Sequence, residues 1–120
     1  MEMNFDQMVL AHSKWKARLK SAIEDGEAID PNVAGRDDQC ELGKWIYGDG
    51  LKHGAVPAYQ ELRDKHKAFH ACVGQVARKL PSCSPMMAKE LIDPIKSDFG
   101  RATSACIVAI GGLKAALAPK

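Results

Sequence analysis

The stretch Pro57-Ala-Tyr-Gln-Glu-Leu-Arg-Asp-Lys-His-Lys-Ala-Phe-His-Ala-Cys-Val-Gly-Gln-Val-Ala-Arg-Lys-Leu80 reads as one long amphipathic helix. Pro57 suits a first helical turn, where a missing N–H is no loss. Leu62, His66, Phe69, His70, Val73, Val76, Ala77 and Leu80 recur at three- and four-residue steps, the spacing of a single helix face. Two of the positions in that apolar stripe are imidazoles. His66 and His70 stand at i and i+4, so their side chains project side by side.

Upstream lies Asp38-Gln-Cys-Glu-Leu-Gly-Lys-Trp45, in which Asp37 or Asp38 offers an N-cap for a short helix running to about Tyr47. Leu42, Trp45 and Ile46 point inward on it. Cys40 falls in the first turn, where free N–H groups and the helix dipole favour a thiolate. Residues 26–36 read as a loop punctuated by Pro31 and Gly35, and the Gly48–Pro57 stretch as a second loop with an exposed His53. The first helix is predicted from Asn4 to Asp25, with Phe5, Met8, Val9, His12, Trp15, Leu19, Ala22 and Ile23 on one face and Gly26 as its stop. His12 thus sits in the middle of an apolar stripe.

Downstream, Pro81-Ser-Cys-Ser-Pro85 breaks the chain before a last helix predicted over Met86–Leu117. Its inward set is Leu91, Ile92, Ile95, Phe99, Ala102, Cys106, Ala109, Ile110, Leu113 and Leu117, and Pro94 and Gly100 are points where it would kink or split. No stretch alternates as a half-buried strand does. The expected fold is all-α, a four-helix bundle with an additional short helix carrying the cysteine.

At 120 residues the chain is expected to form a single domain over residues 1–120. It is 46% hydrophobic and 27% charged, the balance of an ordinary globular protein rather than a disordered or membrane chain. The net charge is +2 with acidic and basic residues mixed, and no basic run points to nucleic acid. No apolar run approaches the roughly 18 residues of a membrane span. Met1-Glu-Met-Asn-Phe-Asp6 lacks the basic-then-apolar pattern of a signal peptide, so a cytoplasmic location is expected. There the four cysteines should be reduced, and without a Cys-x-x-Cys pair no disulfide framework or redox motif is expected. Cys72 and Cys106 read as small core hydrophobes. Cys83, in its Pro/Ser loop, reads as an exposed thiol.

Three of the four histidines take core-facing positions. Any one of them alone reads as a hydrogen-bonded core residue, and an i,i+4 pair also arises without metal. Together they need partners, because buried polar groups do. Zinc supplies one: neutral imidazoles and a thiolate are preferred ligands, commonly four in tetrahedral array. Trp15 and Trp45 read as core packing that also walls such a site. Asp37 and Asp38 read first as cap residues, and one of them as an acceptor for a ligand imidazole N–H.

His12 with Trp15, Cys40-Glu-Leu-Gly-Lys-Trp-Ile-Tyr-Gly48, and His66-Lys-Ala-Phe-His70 resemble the chemoreceptor zinc-binding domain family in order and spacing over nearly the whole chain. The resemblance implies a helical bundle binding Zn2+ through His12, Cys40, His66 and His70. It implies a homodimer that senses zinc or an oxidant such as hypochlorous acid, with Cys40 the redox-reactive group. It also implies a bacterial signalling output in chemotaxis or cyclic-di-GMP control, of chemoreceptor or diguanylate cyclase type. The chain departs from that pattern in holding neither a receptor signalling coiled coil nor a cyclase motif. It is then either a free-standing sensor acting on a partner, which a start at Met1 favours, or an excerpt of a longer chain. Two other classes compete. A zinc-dependent enzyme is disfavoured, because four protein ligands leave no open position and Glu41 is the only weak candidate for a base. A helical protein-association module with a purely structural zinc is the third.

Overall fold

The computed structural model describes residues 4–26 and 29–118, and all regular structure among them is helical. Helix α1 spans Phe5–Asp25. Asn4 caps it, accepting from the Gln7 N–H at 3.0 Å, and Gly26 ends it in the left-handed region at φ 72°. Helix α2 is a single turn, Pro31–Ala34, in the stretch expected to be loop. Asp30 caps it through the Asn32 N–H and Pro31 takes its first position. Cap chemistry alone marks so short an element, because one turn holds no periodic stripe.

Helix α3 covers Glu41–Ile46, and α4 covers Pro57–Lys79 as its apolar stripe predicts. Between them Asp49–His53 forms a 3-10 turn where loop was expected. His53 is half-buried rather than exposed, its ring 5.9 Å from that of Trp45.

The predicted helix over 86–117 is two helices, α5 (Pro85–Leu91) and α6 (Asp98–Leu117). The break is a built turn at residues 92–97. Asp93 accepts from the N–H groups of Ile95 and Lys96 at 2.8 and 2.7 Å, and the Ser97 hydroxyl accepts from the Gly100 N–H at 2.9 Å. Pro94 lacks the N–H that would have continued the helix. The turn throws Ile95 outward to 79% exposure, against its expected place in the core. Gly100 lies inside α6 rather than at the break.

Helices α4 and α6 form the main packed pair, α1 lies against α6 and α5, and α2 runs along α4. The result is an elongated four-helix bundle of 50 × 25 × 20 Å with α3 attached. Leu19, Leu62, Phe69, Val73, Ile110 and Leu113 are buried in its centre. A six-residue helix cannot hold itself together in water. Leu42 and Ile46 are both 0% exposed, and burying each contributes about 1.5–3 kcal/mol, so packing is what keeps α3 in place. Cys106 is buried as expected, and burial pushes its thiol up to about 12. Cys83 is half-buried instead of exposed, and with the half-buried Cys72 it lines a surface cavity of about 420 Å³. Among the described residues no helix is long and apolar enough to cross a membrane.

Candidate metal centre

His12, Cys40, His66 and His70 converge from α1, the start of α3 and the middle of α4, and their donor atoms all lie within 4.8 Å of one another. His12 and His70 are 2% exposed and His66 is 0% exposed. The Cys40 Sγ stands 3.2 Å from His66 Nε2, 3.7 Å from His70 Nε2 and 3.9 Å from His12 Nε2. His66 Nε2 is 3.1 Å from His12 Nε2. Every imidazole therefore presents the same nitrogen to the centre.

Two carbonyls select that nitrogen. His12 Nδ1–H donates to the Met8 carbonyl one turn back at 2.7 Å, and His70 Nδ1–H donates to the Ala34 carbonyl of α2 at 3.0 Å. With the proton on Nδ1, the Nε2 lone pair faces inward, the arrangement that ligating imidazoles adopt. His66 differs from both. Its Nδ1 is buried and has no hydrogen-bond partner.

Neither Asp37 nor Asp38 is hydrogen-bonded to an imidazole, although, against the burial that lowers the His70 value, the Asp37 charge pulls it upward. Asp37 accepts from the Tyr47 hydroxyl, and Asp38 pairs with Arg36 at 3.1 Å. Burial, reinforced by Asp37, pushes the Tyr47 hydroxyl up to about 12. Nor do the aspartates cap α3: that position belongs to Cys40 itself, whose Sγ accepts from the Gly43 N–H at 3.3 Å. Gly43 is required there, because a Cβ would lie 1.8 Å from the Asp37 carbonyl oxygen. The turn leading to Cys40 thus rests directly on the α3 backbone.

Aromatic rings close the site. Phe69 meets the rings of His12 and His70 edge-on at 5.2 and 5.1 Å, and Trp15 meets His70 at 6.4 Å. Trp45 touches none of the three imidazoles. It packs instead on Phe5, His53 and Tyr59. The Tyr59 hydroxyl donates to the Ile46 carbonyl at 2.5 Å and ties the end of α3 to α4.

Burial governs the charge states. It holds His12 and His70 below the ordinary imidazole value against the pull of their carbonyl partners, and pushes His66, which has no such partner, down to about 2. Burial also raises the Cys40 thiol, although the N–H groups of Gly43 and Leu42 pull the other way. The helix start does not by itself secure a thiolate here. A cation among the four donors would.

The donor set fits a metal ion on distance as well as on chemistry. Four tetrahedral ligands at zinc's usual bond lengths stand about 3.3 Å apart between nitrogens and about 3.6 Å between sulfur and nitrogen. The three sulfur–nitrogen distances, 3.2–3.9 Å, bracket the second value, the His12–His66 nitrogens at 3.1 Å lie just under the first, and all four donors fall within 4.8 Å of one another. The His12 and His70 lone pairs are turned inward in an apolar shell, and a positive charge among the four donors would satisfy both.

Sequence periodicity turned the three histidines toward the core, and the family resemblance added Cys40 at the start of α3. Both missed the Met8 and Ala34 carbonyls, for which a backbone group leaves no signal, and the Phe69 edges. The family profile described as chemoreceptor zinc-binding domain matches residues 12–77, which run from the first of the four donors to the last turns of α4. No curated protein and no solved structure matches the chain.

Proposed function

The chain belongs to the chemoreceptor zinc-binding domain family, and on that premise we propose that it is a non-catalytic sensory domain whose zinc site reports zinc supply or oxidant. The observation that carries the reading is the inward turn of three Nε2 atoms onto one thiol sulfur. Zinc, when bound, would be held by His12, Cys40, His66 and His70, and would supply the positive charge that keeps the sulfur a thiolate. Four protein ligands leave no position for substrate, which argues for sensing over hydrolysis.

The four residues also brace the bundle. Helices α1 and α4 both pack on α6, and the clustered imidazoles and Cys40 join α1 to α4 directly. Hypochlorous acid would react at Cys40. The thiolate sulfur takes OH, chloride leaves, and sulfur is oxidised by two electrons as chlorine is reduced. A sulfenic acid is a poorer donor, so the brace between α1 and α4 weakens. The far end of α3 stays in place, because Leu42, Ile46 and the Tyr59 hydroxyl hold it independently of the sulfur. The moving part is then the turn at residues 36–40 together with α1, rather than the whole of α3. Through such a shift the domain regulates an attached or partner output of chemoreceptor or diguanylate cyclase type, as a homodimer in the cytoplasm.

Zinc content and zinc release on titration with hypochlorous acid test this, with wild type and Cys40→Ala compared. Wild type should carry one zinc per chain and release it with oxidant, and Cys40→Ala should bind zinc weakly. A wild type that binds no zinc overturns the metal reading. Full retention of zinc after Cys40 is oxidised overturns the oxidant reading alone. A water found as fourth ligand, with Cys40 turned away, would favour an enzyme.

A further inference from the structure

We infer that the contact between Gly35 and Gly74 is a positioning device for His70, setting the distance at which the Ala34 carbonyl holds that imidazole for the metal. The inference rests on the metal reading above but concerns residues outside the donor set.

Gly74 is buried in the interior of α4, a place where glycine weakens a helix. Its backbone gives no reason for glycine, since Gly26 is the only described residue with positive φ. The reason is a neighbour. A Cβ on Gly74 would lie 2.9 Å from the Gly35 Cα and 3.2 Å from the Pro31 carbonyl oxygen. A Cβ on Gly35 would lie 3.0 Å from the same oxygen and 3.5 Å from the Gly74 Cα. The two backbones meet without side chains between them.

The contact belongs to a stripe along α4. His70, Gly74 and Arg78 stand at four-residue steps, so they share one face of the helix. Each engages α2 or its cap. His70 donates to Ala34, Gly74 touches Gly35, and Arg78 Nη2 donates to the Asn32 Oδ1 at 3.3 Å. The close approach at Gly74 is one turn from His70, and Gly35 directly follows Ala34. Separating the two glycines therefore moves the one acceptor that fixes the His70 proton on Nδ1.

The Ala34 carbonyl is 3.0 Å from His70 Nδ1, and an added Cβ that displaces α2 by half an ångström takes that bond to the edge of hydrogen-bonding range. His70 would lose its preference for the tautomer with Nε2 free. Loss of such an outer hydrogen bond commonly lowers metal affinity roughly 10- to 100-fold.

The test compares wild type, Gly74→Ala, the milder Gly35→Ala, and Gly111→Ala as a matched control on α6, where a Cβ meets nothing within 4 Å. Two quantities are read: the His70 tautomer by nitrogen-15 NMR in the metal-free protein, and zinc affinity by competition with a chelator. Gly74→Ala should give a mixed His70 tautomer and bind zinc roughly ten- to hundred-fold more weakly. Gly35→Ala should change both in the same direction by less, and Gly111→Ala should change neither. If Gly74→Ala fails to fold, Gly35→Ala decides the matter. An unchanged tautomer and affinity in the folded variants overturn the inference. Equal loss in Gly111→Ala also overturns it, since helix substitution would then be the cause. A wild type that binds no zinc overturns the metal reading, while the metal-free tautomer still tests the positioning contact.

Discussion

His66 Nε2 stands 3.1 Å from His12 Nε2, although the two residues are 54 positions apart and lie on different helices. Without a cation, one of the two nitrogens must carry a proton for the other to accept. With a cation both must be bare, and the His66 proton moves to Nδ1, where no protein group accepts it. In the metal-free core the Nε2 proton lies between His66 and His12, and His66 Nδ1 is then a bare buried acceptor that no protein group meets, a standing cost in either state.

That cost makes His66→Leu informative. The substitution removes an unsatisfied buried nitrogen and one of three clustered imidazoles while roughly conserving volume. In chelator, the variant should be more stable than wild type by about 1–3 kcal/mol, and it should lose tight zinc binding. Urea unfolding of both proteins without metal checks this. A less stable His66→Leu would mean that the imidazole is satisfied in the metal-free protein.

Acid should destabilise the metal-free domain before its carboxylates titrate. Folding lowers the values of His12, His66 and His70 from the ordinary 6.5, to about 2 for His66, chiefly through burial. Below pH 6.5 the unfolded chain binds protons that the folded chain refuses, so stability falls with pH. It is full above pH 6.5, and each imidazole removes up to about 1.4 kcal/mol per pH unit down to its folded value. Unfolding midpoints at pH 7.5 and 5.5 in chelator should differ clearly in wild type and less in His66→Leu.

Tyr59→Phe should separate the two ends of α3. It leaves the buried Ile46 carbonyl without the hydroxyl at 2.5 Å, at a cost of about 1–3 kcal/mol. Cys40, at the opposite end, keeps its seat on Gly43. Thermal melts should show the loss of stability while chelator competition shows a change in zinc affinity well under tenfold. A large fall in affinity would mean that α3 moves as a rigid unit.

Gly43→Ala should do the reverse. Its Cβ would strike the Asp37 carbonyl oxygen at 1.8 Å, so the turn carrying Cys40 has to lift from α3. The long helices meet this turn only through Cys40 and the imidazoles among the contacts described above, so they should keep their circular dichroism. Zinc binding should weaken roughly tenfold or more as the sulfur leaves its position. Unchanged affinity would show that the turn tolerates displacement without moving Cys40.

Much of this was legible before the structure. Helices α1 and α4 and the inward places of His12, His66 and His70 follow from apolar residues at three- and four-residue steps, because helical periodicity is local. Cys40 follows instead from its place at the start of the short helix and from the family resemblance. The turn at residues 92–97 was half legible: Pro94 marks the interruption, but the Asp93 and Ser97 bonds that complete it, and expose Ile95, follow no periodic pattern. Asp37 and Asp38 looked like caps because aspartates commonly are, yet the cysteine occupies that position and the aspartates turn to Tyr47 and Arg36.

The sequence by itself determined an all-α chain with three imidazoles and a thiol available to one core. Only the tertiary structure decided which ring nitrogens face inward, since that choice rests on the Met8 and Ala34 carbonyls and every residue of the chain has a carbonyl. It alone singled out Gly35 and Gly74 as a close approach and left His66 Nδ1 without a partner. Residue spacing says which side chains share a face. It does not say which backbone atoms of another element come to meet them.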